Sequence, residues 1–230
     1  MSRSAEKDLR TKLRLENQFI REVQRIFTLP IPLQRRQLEI FLQGQYTRTY
    51  DKFRKNFQNR RKVEMPKFYS LSMRDYTQGE FQNRAVRQAD LITRNTRKVW
   101  RAIYDLDIPL ESKKNMFQFR MGVRSVRIAS TETEWAAERT KLREAQFLQG
   151  GPGNAKHGKK RWDTIGDNRM RLHHEEASGQ LVDLGSAFKV GGEELMYPGD
   201  TEFGASASNI INCRCSAFYI ISKKNLTRIS

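Results

Sequence analysis

Apolar residues in the first half of the chain return every three, four or seven positions, the repeat that lines one face of an α-helix. Leu9, Leu13, Ile20, Val23 and Phe27 make one such stripe among arginines and lysines, and Pro30 with Pro32 should stop that helix. Leu38, Leu42, Tyr46, Tyr50, Phe53 and Phe57 make a second, read as packed core rather than as a platform for stacking bases. Met65-Pro66 interrupts the pattern. A third helix is expected from Glu80 to Tyr104, with Leu91, Ile92, Val99, Trp100 and Ile103 turned inward. Ile108-Pro109 is another break, after which Ser112 is a plausible N-cap for a helix through Phe119 and Val126. Thr131 and Glu134, at capping-box spacing, would open one more helix running to Phe147.

The texture changes after Gln149. Gly150-Gly151-Pro152-Gly153-Asn154 is a turn cluster, and the basic run Lys156 to Arg161 after it reads as a loop tip. Beyond it the chain is rich in glycine and in short apolar runs. Val182 to Phe188, Leu195 to Tyr197 and Cys215 to Ile221 have the look of strands. The fold class expected is α+β: an all-helical basic arm over residues 1–121, then a small α+β domain over 122–230 that folds independently. The longest apolar runs are only a few residues, far short of the ~18 that a membrane span needs. Met1 to Arg25 is charged throughout and lacks the apolar centre of a secretory signal. A soluble chain without a membrane partner is therefore expected.

Charge sharpens the division. Of a net charge of +17, residues 1–120 contribute most, with 27 lysines and arginines against 13 aspartates and glutamates. An excess of one sign on this scale points to a polyanion, and nucleic acid is the default candidate. The polar face of the second stripe supplies Arg48, Lys52, Arg54, Lys55, Arg60, Arg61 and Lys62 as candidate phosphate contacts. Lys159, Lys160 and Arg161, beside Lys156 and His157, add a second basic patch that would otherwise be a solvated loop. No zinc finger, homeodomain or other base-reading motif is present, so the expected mode is contact with double-stranded DNA without sequence preference. Changing Arg60, Arg61 and Lys62 to Ala should weaken such binding and leave the fold intact.

One series of motifs is specific. Ala129-Ser130-Thr131-Glu132 is followed by Trp162 with Asp167, then Arg171-Leu172-His173-His174 and Gly179, then Pro198-Gly199-Asp200 and Asn212-Cys213-Arg214-Cys215. In order and spacing, across roughly residues 122–220, this resembles the phage Mu protein F-like head morphogenesis (minor capsid) family. The Phe41-Leu42 to Arg48 segment is loosely similar to the family's N-terminal part. The chain departs where relatives show Ala-Arg-Thr-Glu, having Ser130 in place of the arginine. The resemblance implies a non-enzymatic minor head protein of a tailed bacteriophage, present in few copies. It implies association with the portal protein, genome DNA and the inner capsid or scaffold, in packaging or ejection. The location implied is the capsid interior near the portal, with the host cytoplasm as the place of assembly.

Two further chemistries compete for the same residues. Cys213, Cys215 and His174 suit a structural zinc, with His173 or Asp167 as fourth ligand, because thiolate and imidazole are zinc's preferred donors. Against this, Cys-x-Cys is tighter than usual ligand spacing and there are only two cysteines, so a buried thiol pair beside an arginine–histidine hydrogen-bond network is the preferred reading and zinc the alternative. A disulfide between the two would close a very tight ring, so reduced thiols are expected. No other cofactor is expected. The rival activity is a nuclease or nucleotide-processing enzyme, with Glu132 or Asp167 as base, His174 as acid and Arg171 on a phosphate. No phosphate loop, nucleophile elbow or metalloprotease motif accompanies that cluster.

Overall fold

The computed structural model describes residues 3–61, 67–149, 158–167 and 170–221. Four long helices come first: α1 (Arg3–Phe27), α2 (Ile31–Arg61), α3 (Lys67–Tyr104) and α4 (Leu110–Leu148). Pro30 separates α1 from α2, but Pro32 lies in the first turn of α2, where a missing N–H costs no helical hydrogen bond. The rest of the chain is short elements: β1 (Lys159–Asp163), α5 (Leu172–Glu176), β2 (Leu181–Asp183), β3 (Phe188–Val190), β4 (Glu193–Leu195), α6 (Ala207–Ile210) and β5 (Ser216–Ile220). The fold is α+β. Antiparallel strands run in the order β2-β1-β5, and β3 and β4 form a separate hairpin. That hairpin turns on Gly191 and Gly192 at φ 57° and 80°, the left-handed pair that a tight two-residue connection demands. No helix among the described residues is long and apolar enough to cross a membrane.

The α2 stripe is buried as its period predicts, from Leu38 to Phe57. In α1 Val23 and Phe27 are buried as expected, but toward the N-terminus the stripe is displaced: Leu13 is exposed, and Asp8, Lys12, Leu15 and Phe19 face inward. Two charged residues therefore occupy core positions, which hydrophobicity alone could not mark. Leu91, expected inward, is also exposed. The strand expected over Val182 to Phe188 is two short strands, β2 and β3, separated by a turn.

The largest difference lies in α4, one helix rather than two. Thr131 opens no new helix, its hydroxyl accepting instead from the Asn212 amide at 3.3 Å. Glu134 is drawn to Lys12 at 2.6 Å and does not reach back to cap a backbone N–H. The boundary expected at residues 121/122 falls inside this helix. From Glu132 onward α4 is buried almost all round, although glutamates, an arginine and a lysine punctuate it.

One apolar cluster joins the two parts of the chain. Tyr46, Phe81 and Trp135 meet with ring centroids 5.3 to 5.9 Å apart, and Phe57 of α2 packs edge-on against Tyr219 of β5 at 6.1 Å.

Candidate metal centre and basic surface

Strand alternation begins the site. In β1 the inward positions are Lys160 and Trp162, and the Trp162 ring meets His174 at 5.7 Å and Phe188 at 5.3 Å. His174 sits on the single-turn helix α5 and is buried. On the other side, Asn212 takes φ 55°, a left-handed conformation that asparagine tolerates better than most residues. The chain then runs extended through Cys213-Arg214-Cys215 into β5. In an extended segment residues two apart share a face. The two thiols thus point inward together, while Arg214 turns away to pair with Asp167 at 2.5 Å. The tight Cys-x-Cys spacing, an objection to a metal on helices or turns, is what brings both sulfurs to one side here.

The Nδ1 atom of His174 lies 3.3 Å from the Cys215 sulfur and 3.7 Å from that of Cys213. Its Nε2 meets the side-chain oxygen of Asn209 at 3.1 Å. Asn209 is itself fixed, donating from its amide nitrogen to the Val190 carbonyl at 3.1 Å and to Glu193 at 2.5 Å. Its oxygen must then accept, which places the histidine proton on Nε2 and leaves the Nδ1 lone pair facing the sulfurs. A partner on the far ring nitrogen is the arrangement that orients metal-bound histidines. The three donor atoms lie within 4.8 Å of one another, and all three residues are buried. Zinc bonds of ~2.0–2.3 Å put tetrahedral ligands about 3.5 Å apart, close to the observed sulfur–nitrogen separations. Both cysteines are free thiols. A hydrogen bond with Cys215, and then burial, push the Cys213 thiol well above its ordinary value.

The remaining residues of the motif series go elsewhere. Neither His173 nor Asp167 joins the donor cluster. Arg171 donates to the Ile211 carbonyl. Glu132 receives Arg84 at 2.8 Å and the Tyr46 hydroxyl at 2.6 Å in the core. The cavity bordered by His174, Asp167 and Arg171 measures about 20 Å³, enough for a water molecule. The sequence reading missed Asn209 altogether. It missed equally the buried ion network in which Lys12 bridges Glu134 and Glu138 at 2.6 and 3.0 Å and Lys141 joins Glu138 at 2.5 Å. Burial alone would raise both acids; it keeps Glu134 well above the ordinary carboxylate value, whereas Lys141 and Lys12 hold Glu138 below it. The helical period carried back from Phe19 through Leu15 to Lys12 and Asp8 was the one available signal.

The expected phosphate contacts divide into three groups. Arg48, Lys52 and Lys55 are exposed on α2. Arg54, Arg60 and Arg61 are engaged: Arg54 with Glu144 at 3.5 Å, Arg60 with buried Asp8 at 3.0 Å, and Arg61 with the Tyr219 carbonyl. Lys62 lies outside the described residues, as do Lys156 and His157. The second patch is no loop tip where it is described, since residues 159–163 form the central strand of a sheet. Lys159 pairs with Asp183 at 3.2 Å and Arg161 with Asp163 at 2.7 Å. Lys160 is fully buried and donates to the Met196 carbonyl at 2.6 Å, so it reaches no partner in solvent. Compared with protein-family models, curated proteins and solved structures, the chain matches none.

Proposed function

We propose that this chain is a non-enzymatic head-morphogenesis protein of a tailed bacteriophage. In this reading it works beside the portal and inner capsid, meets duplex DNA through phosphates alone, and carries a structural zinc in its C-terminal part. The ordered motif series from Glu132 to Cys215 supports the family, and the net charge of +17 supports a polyanionic partner. The observation that carries the structural role is the convergence of His174, Cys213 and Cys215 in the interior, with Asn209 behind the histidine. Soft thiolates with an imidazole select zinc over hard cations, and a clip of this kind contributes folding free energy to a small sheet. A space with room for one water suits a structural centre better than a nucleotide-processing one.

Two measurements test the reading. Elemental analysis of protein purified without chelator should give one zinc per chain, and cobalt in its place should show thiolate charge-transfer absorption. Chain without metal, and unable to take cobalt, would leave a plain thiol pair. Affinity for duplex DNA should fall steeply with salt, by about 0.9 in log K per phosphate contacted for each tenfold rise, and should not depend on sequence. Affinity unchanged by salt, or plasmid cleavage with a divalent metal, would count against it.

A further inference from the structure

We infer that the DNA backbone is met by a track of arginine and lysine on α3, completed by α4, rather than by the basic end of α2. This rests on the DNA-facing reading above and adds where the contact is made. From Leu91 to Tyr104 the chain carries Arg94, Arg97, Lys98 and Arg101 and no acid, and from Ser112 to Thr131 five more cations and again no acid. These two stretches are the facing parts of α3 and α4, joined by the turn at residues 105–109. Arg87, Arg94, Lys98 and Arg101 are spaced by seven, four and three, so they stand in one row along α3. All four are exposed, and none makes an ion pair among the described residues.

The row spans about 21 Å at 1.5 Å per residue, the axial length of about six phosphates on one DNA strand. Asp90, four residues before Arg94, is held by Arg35 at 2.5 Å, and the exposed acids Asp105, Asp107 and Glu111 lie beyond the end of the row, Glu111 pairing with Lys114 at 3.4 Å. Across the groove, Arg127 of α4 borders the same 410 Å³ depression as Gln88, Leu91 and Asn95 of α3. The α2 alternative is shorter and has fewer cations turned to solvent. Its exposed cations, Arg48, Lys52 and Lys55, span only about 10 Å. Beyond them Arg54, Arg60 and Arg61 are turned to partners within the protein. A helix is rigid enough to hold cations at fixed spacing against a regular polyanion, and such contact reads no bases.

The test uses the full chain, a mixed-sequence duplex and two variants. One carries Arg87→Gln, Arg94→Gln, Lys98→Gln and Arg101→Gln; the other carries Arg48→Gln, Lys52→Gln and Lys55→Gln. Glutamine keeps helix propensity, and matched thermal melting confirms the fold. The α3 variant should lose about 10³-fold in affinity at about 0.1 M salt, its salt slope shallower by about 3 to 4; the α2 variant should lose far less. Equal losses would mean a diffuse field without a track, and an unaffected α3 variant would refute the placement while leaving the DNA reading standing. A parent chain that never binds DNA would sink that reading itself. An α3 variant that binds DNA normally yet no longer enters heads would make this face a protein-docking surface, overturning the inference.

Discussion

Burial moves two side chains to nearly the same proton affinity from opposite directions. The Glu144 carboxyl, enclosed between α4 and α2, is pushed up from 4.5 to about 7. The Lys160 ammonium, enclosed under β1, is pushed down from 10.5 to about 7. The consequences for stability have opposite signs. Between pH 4.5 and 7 the folded chain holds a proton on Glu144 that the unfolded chain releases, so this group's contribution falls as pH rises. Between pH 7 and 10.5 the unfolded chain holds the proton on Lys160, so stability rises with pH. Either slope reaches at most about 1.4 kcal/mol per pH unit. Melting temperatures across both windows should show Glu144→Gln removing part of the fall and Lys160→Met part of the rise. Profiles identical to the parent in both variants would contradict the burial. At this scale the grouping of His174, Cys213 and Cys215 was legible from residue type alone, whereas the burial of Lys160 was not. In Lys159-Lys160-Arg161 polarity gives no hint of which cation faces inward; only the apolar Trp162 two positions on fixes the strand's parity.

Arg60 shows why the end of α2 serves the fold first. It pairs with Asp8, which is buried on α1, and Lys141 of α4 stands 3.9 Å from the same carboxylate. Removing one partner of a buried pair strands the other, at a cost of about 3–5 kcal/mol where both are fully enclosed and less for a half-open arginine. Arg60→Ala should therefore lower the melting temperature and leave the salt slope of DNA binding nearly unchanged. A variant as stable as the parent but weaker on DNA would restore the expectation drawn from sequence. The elements themselves were legible to differing depth. The α2 period is clean because its core positions are aromatic or aliphatic. The α1 stripe holds at Val23 and Phe27 but slides by one residue toward the N-terminus, where Asp8 and Lys12 hold core positions through ion pairs. The break expected before Thr131 came from a local capping pattern whose glutamate is claimed by Lys12, a residue more than a hundred positions away.

The whole molecule turns on α4. Its first half stands beside α3 and carries the cations from Lys113 to Arg127, and its second half is the axis around which α1, α2 and β5 pack. A cut at 121/122 would divide one helix and strip Trp135 of Tyr46 and Phe81, and Tyr219 of Phe57. It would also leave Glu132 without Arg84, and Glu134 and Glu138 without Lys12. Uncompensated buried carboxylates on an exposed apolar face do not make an autonomous domain, because each would need to protonate or find water. Neither residues 1–121 nor 122–230 should then fold alone, although composition and charge change between them. The intact chain should melt in a single cooperative transition, with DNA affinity and metal retention lost together on unfolding. Expressed separately, the C-terminal fragment should show no sharp melting and poor dispersion in its amide spectrum. Mixing the two fragments should recover part of both. A C-terminal fragment with a cooperative transition and one bound zinc would show instead that the sheet and its metal clip suffice for their own core, and that the long helices were added to a unit already stable.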